Sequence, residues 1–153
     1  MKAGDKAPNF TLKASNGEEV SLDDFRGKNL VIFYYIKDNT PGWTTEANEF
    51  GELYEEFKEF DTEVVGVSPD SVQSHKKFVE KRSIPFLLLS DPDKELAEDY
   101  GALKEKGLLP KVGLNIERST FVIDKEGVLA KKYNDVKAKN HARDVLRFIK
   151  GHM

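Results

Sequence analysis

The order of hydrophobic periodicities narrows the possible folds more than any other feature. From about residue 29 onward, short apolar runs alternate with amphipathic segments, and that alternation predicts layered α/β architecture. Asn29 to Tyr35 (NLVIFYY) and Glu63 to Ser68 (EVVGVS) read as central strands buried on both faces. Between them, after Asp38-Asn39-Thr40-Pro41, the apolar side chains Ala47, Phe50, Leu53, Tyr54, Phe57 and Phe60 recur at three- and four-residue spacing, which predicts a helix. Strand, helix and strand then make a right-handed crossover.

Ser68-Pro69-Asp70-Ser71 announces a second helix carrying Val72, His75, Phe78 and Val79, and it ends before Ile84-Pro85. Phe86 to Ser90 is the next strand. Asp91-Pro92 predicts a helix start with Asp91 as N-cap, Leu96, Ala97 and Tyr100 as the apolar stripe and Gly101 as the stop. Gly101 to Asn115 reads as loop. Ser119–Asp124 and Val128–Tyr133 then flank Lys125-Glu126-Gly127 as a hairpin, and Asn140 to Lys150 closes the chain as a helix with Val145, Leu146 and Ile149 inward. Near the start, Phe10–Lys13 and Glu19–Leu22 surround Asn16-Gly17, a strong hairpin signal. No repeat or linker interrupts this order, so residues 1–153 are expected to form a single domain.

Charge excludes several functions. The 27 acidic and 24 basic side chains are interspersed, with a net charge of -3, which argues against nucleic acid as a partner. No apolar run reaches the roughly 18–20 residues that span a bilayer, and MKAGDKAPNF lacks the apolar stretch of a signal peptide. A cytoplasmic protein without membrane contact is expected. Cysteine is absent, which removes the disulfide framework, the zinc knuckle and the redox pair together. His75, His141 and His152 lie far apart without a Cys or Glu-x-x-His partner, so they are expected at the surface with no metal role. Asp23-Asp24 and Glu46–Glu49 fall at turns and first helical turns, where negative charge is favoured without paired acid catalysis. Lys137-Ala138-Lys139 reads as a solvated loop. No cofactor is called for.

Two stretches go beyond fold class: KDNTPGWTTEANEF (Lys37 to Phe50) and ERSTFVID (Glu117 to Asp124). Together with Gly4 to Leu12, Gly66 to Ser71 and Leu89 to Lys94, they resemble the bacterioferritin-comigratory, or Q-type, peroxiredoxins, in order from residue 4 to about 149. The resemblance implies a thioredoxin-like three-layer α/β/α fold with a central mixed sheet and an N-terminal β-hairpin. It also implies a thiol-dependent peroxidase that reduces hydrogen peroxide and alkyl hydroperoxides with a thioredoxin-type reductant, as a monomer or weak homodimer.

The family's active site reads P-x-x-x-T-x-x-C at a helix start, completed by a distant arginine just ahead of a buried strand. Thr40 matches the threonine and Arg118 the arginine, but Ile36 stands where the proline belongs and Trp43 where the peroxidatic cysteine belongs. The resolving cysteine, five residues further on in many members, corresponds to Asn48. The intact site has a clear physical logic: a thiolate at a helix N-terminus is stabilised by unpaired N–H groups and the macrodipole, and the arginine adds fixed positive charge. The threonine hydroxyl is there to hydrogen-bond the peroxide. Indole has no ionisable group near neutral pH and no atom that could become a sulfenic acid. A ring of this size is expected either to fill the peroxide pocket or to swing out and unwind the first helical turn. Five residues also correspond to a rise of about 7.5 Å and a rotation of roughly 140°, so a cysteine pair at this spacing would have to unfold the helix locally.

Three functions follow. The first is a thiol-peroxidase scaffold with both cysteines replaced, unable to turn over. The second is a natural non-catalytic relative acting as a binding protein, which Ile36 favours because loss of cysteines alone gives no reason to change the proline. The third is a different enzyme that uses Arg118 and Thr40 for a small anion or carbonyl substrate.

Overall fold

A computed structural model describes residues 1–104, 115–134, 136–137 and 139–153. Among the described residues, four α-helices and nine strands follow one another as β1 (Thr11–Ala14), β2 (Glu19–Ser21), β3 (Asn29–Tyr34), α1 (Pro41–Glu59), β4 (Thr62–Ser68), α2 (Val72–Arg82), β5 (Leu87–Ser90), α3 (Glu95–Tyr100), β6 (Leu103–Lys104), β7 (Asn115–Ile116), β8 (Ser119–Ile123), β9 (Leu129–Tyr133) and α4 (His141–His152). Seven strands form one mixed sheet in the order β2-β1-β5-β4-β3-β8-β9. The expected crossover is present, with β3 parallel to β4 and β4 parallel to β5. The two hairpins add antiparallel edges on either side.

The central strands are apolar throughout because both of their faces are covered. Along β3 and the residue after it, Val31, Phe33 and Tyr35 pack with Trp43, Ala47, Phe50, Phe57, Phe78, Val145 and Ile149, from α1, α2 and α4. The alternate residues Leu30, Ile32 and Tyr34 face Leu96, Ala97 and Tyr100 of α3 together with Phe10. A period of two along a strand therefore distributes one run of residues between two cores. The three-layer arrangement with its N-terminal hairpin is the expected one.

Three details differ from the sequence expectation. Phe60 ends α1 as its C-cap and is exposed rather than part of the buried stripe. The helix predicted to start at Asp91-Pro92 begins at Glu95, because Lys94 N donates back to Asp91 O and closes a turn first. Asp91 nevertheless serves that helix, its carboxylate accepting from the backbone N–H groups of Leu96 and Ala97. Within the segment read as loop, Leu103–Lys104 pairs antiparallel with Asn115–Ile116; residues 105–114 of that loop lie outside the described residues.

Candidate functional site

The crossover sets the start of α1 at the carboxyl ends of β3 and β4, where open α/β sheets place their sites. Asn39 enters with φ 62°, a left-handed conformation that Asn tolerates. Thr40 follows in extended conformation as the N-cap, with Pro41 as the first helical residue. The Thr40 hydroxyl donates to Lys37 O at 2.9 Å rather than capping a helical N–H. The helix is regular from its first turn, with Thr44 N donating to Thr40 O at 2.9 Å.

Trp43, third in that helix, is only 1% exposed. Its ring neither swings out nor unwinds the turn; it points inward and stacks on Tyr35 with ring centroids 3.5 Å apart and planes within 1°. Phe33 and Phe78 flank it at 4.7 and 5.8 Å. Beneath it lies Gly66, where an added Cβ would come within 3.1 Å of Trp43 Cη2 and 2.8 Å of Leu88 Cδ2. A glycine at that register, opposite Phe33, is what leaves space for the indole. Trp43 Nε1 is buried without a hydrogen-bond partner among the described residues.

Arg118, two residues after β7 and immediately before β8, reaches back to the same helical turn. Its Nη2 donates to Glu46 Oε2 at 2.6 Å, and its Nη1 lies 2.8 Å from where a Cβ on Gly42 would be. A side chain one residue before Trp43 would therefore displace the guanidinium from this position. Glu46, expected in a first helical turn, instead lies beyond the first turn of α1 and is 2% exposed. Burial pushes its carboxyl up from an ordinary 4.5 to about 7, although Arg118 pulls the other way. Asn48 is exposed on the outer face of α1, beside a groove lined by Arg82, Ser83 and Pro85.

A hydrogen-bonded cluster that the sequence did not announce adjoins the indole. Tyr35 Oη donates to Asp38 Oδ1 at 2.6 Å, and Ser74 Oγ donates to Asp38 Oδ2 at 2.7 Å. His75 Nε2 lies 2.9 Å from Leu89 O, a carbonyl that only accepts, so Nε2 is the donor there. Nδ1 then faces Asp38 Oδ2 at 2.9 Å and Tyr35 Oη at 3.2 Å. Asp70 closes the cluster, accepting from Asp38 N at 2.7 Å and Ser68 Oγ at 2.8 Å. Burial alone would raise the Asp38 carboxyl, but hydrogen bonds from His75, Tyr35 and Ser74 outweigh it and hold the group below its ordinary range. Burial and then Asp38 push the Tyr35 phenol well up.

The expectation of three surface histidines is therefore wrong for two of them. His75 is fully buried, and His141 is buried with Nε2 2.7 Å from Thr120 Oγ1 and its ring edge-on to Phe50 and Tyr133. Burial pushes His141 down from 6.5 to about 4. Only His152 is exposed. The signal for His75 was its place in the apolar stripe of the second helix, a position where a polar side chain needs buried partners.

Residues 3–132 match the family model for the AhpC/TSA family. The chain belongs to that family. It is 47% identical over 150 residues to peroxiredoxin Bcp of Bacillus subtilis strain 168, covering 98% of this chain and 96% of that one. Peroxiredoxin Bcp of Escherichia coli K12 is 37% identical over 152 residues, covering 99% and 97%. Among solved structures, the Xanthomonas campestris bacterioferritin comigratory protein, described for its alkyl peroxide reduction activity, superposes with TM-score 0.89 at 40% identity, covering 94% of this chain and 91% of that one. A cysteine-to-serine variant of Xylella fastidiosa PrxQ superposes with TM-score 0.92 at 37% identity, covering 99% and 97%. The fold is thus thioredoxin-like, in the Bcp and Q-type branch, and it carries a thiol-peroxidase scaffold without a thiol. Among the described residues, no helix is long and apolar enough to cross a membrane.

Proposed function

We propose that Trp43 occupies the peroxidatic position of a peroxiredoxin site and Asn48 the resolving position, with Thr40 and Arg118 as the retained supporting groups. The reading rests on one observation: the guanidinium of Arg118 abuts the first turn of α1 beside Gly42, one residue before Trp43. Positive charge at a helix N-terminus is what a peroxidatic thiolate requires. With cysteine absent, neither a sulfenic acid nor a disulfide can form. The chain then acts as a cytoplasmic, non-nucleic-acid-binding monomer or weak homodimer that does not turn over peroxide. Its active relatives would take hydroperoxides and a thioredoxin-type reductant at this place.

Trp43→Cys combined with Asn48→Cys tests the assignment in a coupled assay with hydrogen peroxide or an alkyl hydroperoxide and a thioredoxin system. Peroxide consumption by the double variant, absent in the parent chain, is expected. A correctly folded double variant without consumption would overturn the placement. Ile36, an exposed apolar side chain three residues before Asn39, favours a second reading as a non-catalytic binding protein, since nothing in the loss of a thiol accounts for it.

A further inference from the structure

Trp43 and Tyr35 have opposite proton environments, and that asymmetry gives the pair a chemistry independent of thiols. An indole that loses one electron becomes an acidic radical cation, which settles by giving its Nε1 proton to a neighbouring base. Trp43 Nε1 has none: it is buried and unpartnered among the described residues, and such an orphan calls for an explanation. A phenol that loses one electron sheds its proton still more readily. Tyr35 has an acceptor in place, Asp38 Oδ1 at 2.6 Å, with the carboxylate steadied by Ser74 and His75. The two rings lie face to face at 3.5 Å, close enough for direct electronic contact.

We infer that Trp43 and Tyr35 form a one-electron relay in which a small oxidising radical removes an electron through the indole and the hole comes to rest as a neutral tyrosyl radical on Tyr35. The balance is closed. The external radical gains one electron and becomes its anion. The indole cation regains an electron from the stacked phenol, and the phenolic O–H bond breaks as its proton moves to Asp38 Oδ1. The products are a neutral indole, a phenoxyl radical and a protonated Asp38 carboxyl. Tyr34, the neighbour in sequence, also donates to a buried carboxylate, Asp91 Oδ2 at 2.7 Å, but faces the other side of the sheet among the side chains of the second core. It is therefore a built-in control.

Flash oxidation with a ruthenium(III) polypyridyl complex, followed by transient absorption and electron paramagnetic resonance, tests the relay on the full chain. Trp43 is the sole tryptophan among five tyrosines, so the indolyl signal has one source. The indolyl band should decay as a tyrosyl band rises, more slowly in D2O than in H2O. Tyr35→Phe should abolish the tyrosyl band and prolong the indolyl one, whereas Tyr34→Phe should change neither. Asp38→Asn should slow the conversion by about tenfold or more, the factor that each 1.4 kcal/mol of added barrier brings. Should Asp38→Asn fail to fold, the solvent isotope effect in the unmodified chain decides the proton step. An undiminished tyrosyl signal in Tyr35→Phe, an indolyl radical that decays without a tyrosyl product, or a conversion insensitive to D2O would each overturn the relay.

Discussion

Replacing Glu46 by Gln should make the chain weaken on acidification from pH 6.5 to 4.5 more steeply than the parent does. Two buried groups titrate in opposite senses in this range. The Glu46 carboxyl rises from 4.5 to about 7 on folding, so the folded chain binds the extra proton. Its stabilising contribution is complete below about pH 4.5 and is lost as pH climbs through 7. His141 falls from 6.5 to about 4, so its contribution is complete above about pH 6.5 and is lost as pH drops toward 4. Each displacement is worth about 3 kcal/mol at full extent, and between pH 4.5 and 6.5 the two slopes oppose each other. Glu46→Gln removes one slope and keeps an acceptor for Arg118 Nη2, so stability should fall by about 2 kcal/mol from pH 6.5 to 4.5. The complementary His141→Gln variant should lose about the same amount in the other direction, from pH 4.5 to 6.5. Asp38, held below 3.8, makes a stabilising contribution that is already complete in this range and is lost only at lower pH, as the carboxylate protonates. Urea unfolding at several pH values, followed by Trp43 fluorescence and linear extrapolation, measures both curves. A Glu46→Gln curve that stays flat, or that slopes as the His141 variant does, would refute the assignment of opposing buried groups.

Two further substitutions probe the slot that holds the indole. Trp43→Ala should cost about 3–5 kcal/mol, read by circular dichroism during urea unfolding, because it empties a site enclosed by Phe33, Tyr35, Phe78 and Gly66; a loss below about 1 kcal/mol would mean that the ring is not packed as described. Gly66→Ala should cost about 1–3 kcal/mol, since its Cβ would sit 2.8 Å from Leu88 Cδ2, 3.0 Å from Phe33 Cζ and 3.1 Å from Trp43 Cη2. An unchanged unfolding midpoint in that variant would contradict the close approach.

Most of the fold was legible because central strands and amphipathic helices announce themselves by period: β3, β4, α1, α2 and both hairpins lie where apolar spacing puts them. The start of α3 was misplaced because an Asx-Pro pair serves a turn as readily as a helix, and only the turn bond from Lys94 N to Asp91 O separates the two. At the proposed site, Thr40, Trp43, Asn48 and Arg118 were suggested by motif, and the structure brings Arg118 to the turn that holds Trp43 while leaving Asn48 on the outer face. Glu46, Asp38 and His75 were not found, for a common reason. A polar side chain inside an apolar stripe reads as an exception until its partner, distant in sequence, is known. Glu46 meets Arg118 across 72 positions and His75 meets Asp38 across 37.

The inward turn of Trp43 has an energetic basis that bears on the peroxidase assignment. Burying an aromatic ring removes about 150–250 Å² from water, which at about 25 cal/mol per Å² favours the inward position by about 4–6 kcal/mol. The orphaned Nε1 opposes this by about 1–3 kcal/mol, so burial wins. A cysteine side chain at residue 43 would fill little of the slot between Phe33, Phe78 and Gly66, and would leave a cavity beneath the first turn of α1. That turn is also where a thiolate would need exposed N–H groups and an approach for peroxide. Stability and reactivity therefore pull in opposite directions at this position, and Trp43→Cys should gain its chemistry at a measurable loss of unfolding free energy. A variant that consumed peroxide with undiminished stability would show that the indole and the thiol do not compete for the same space.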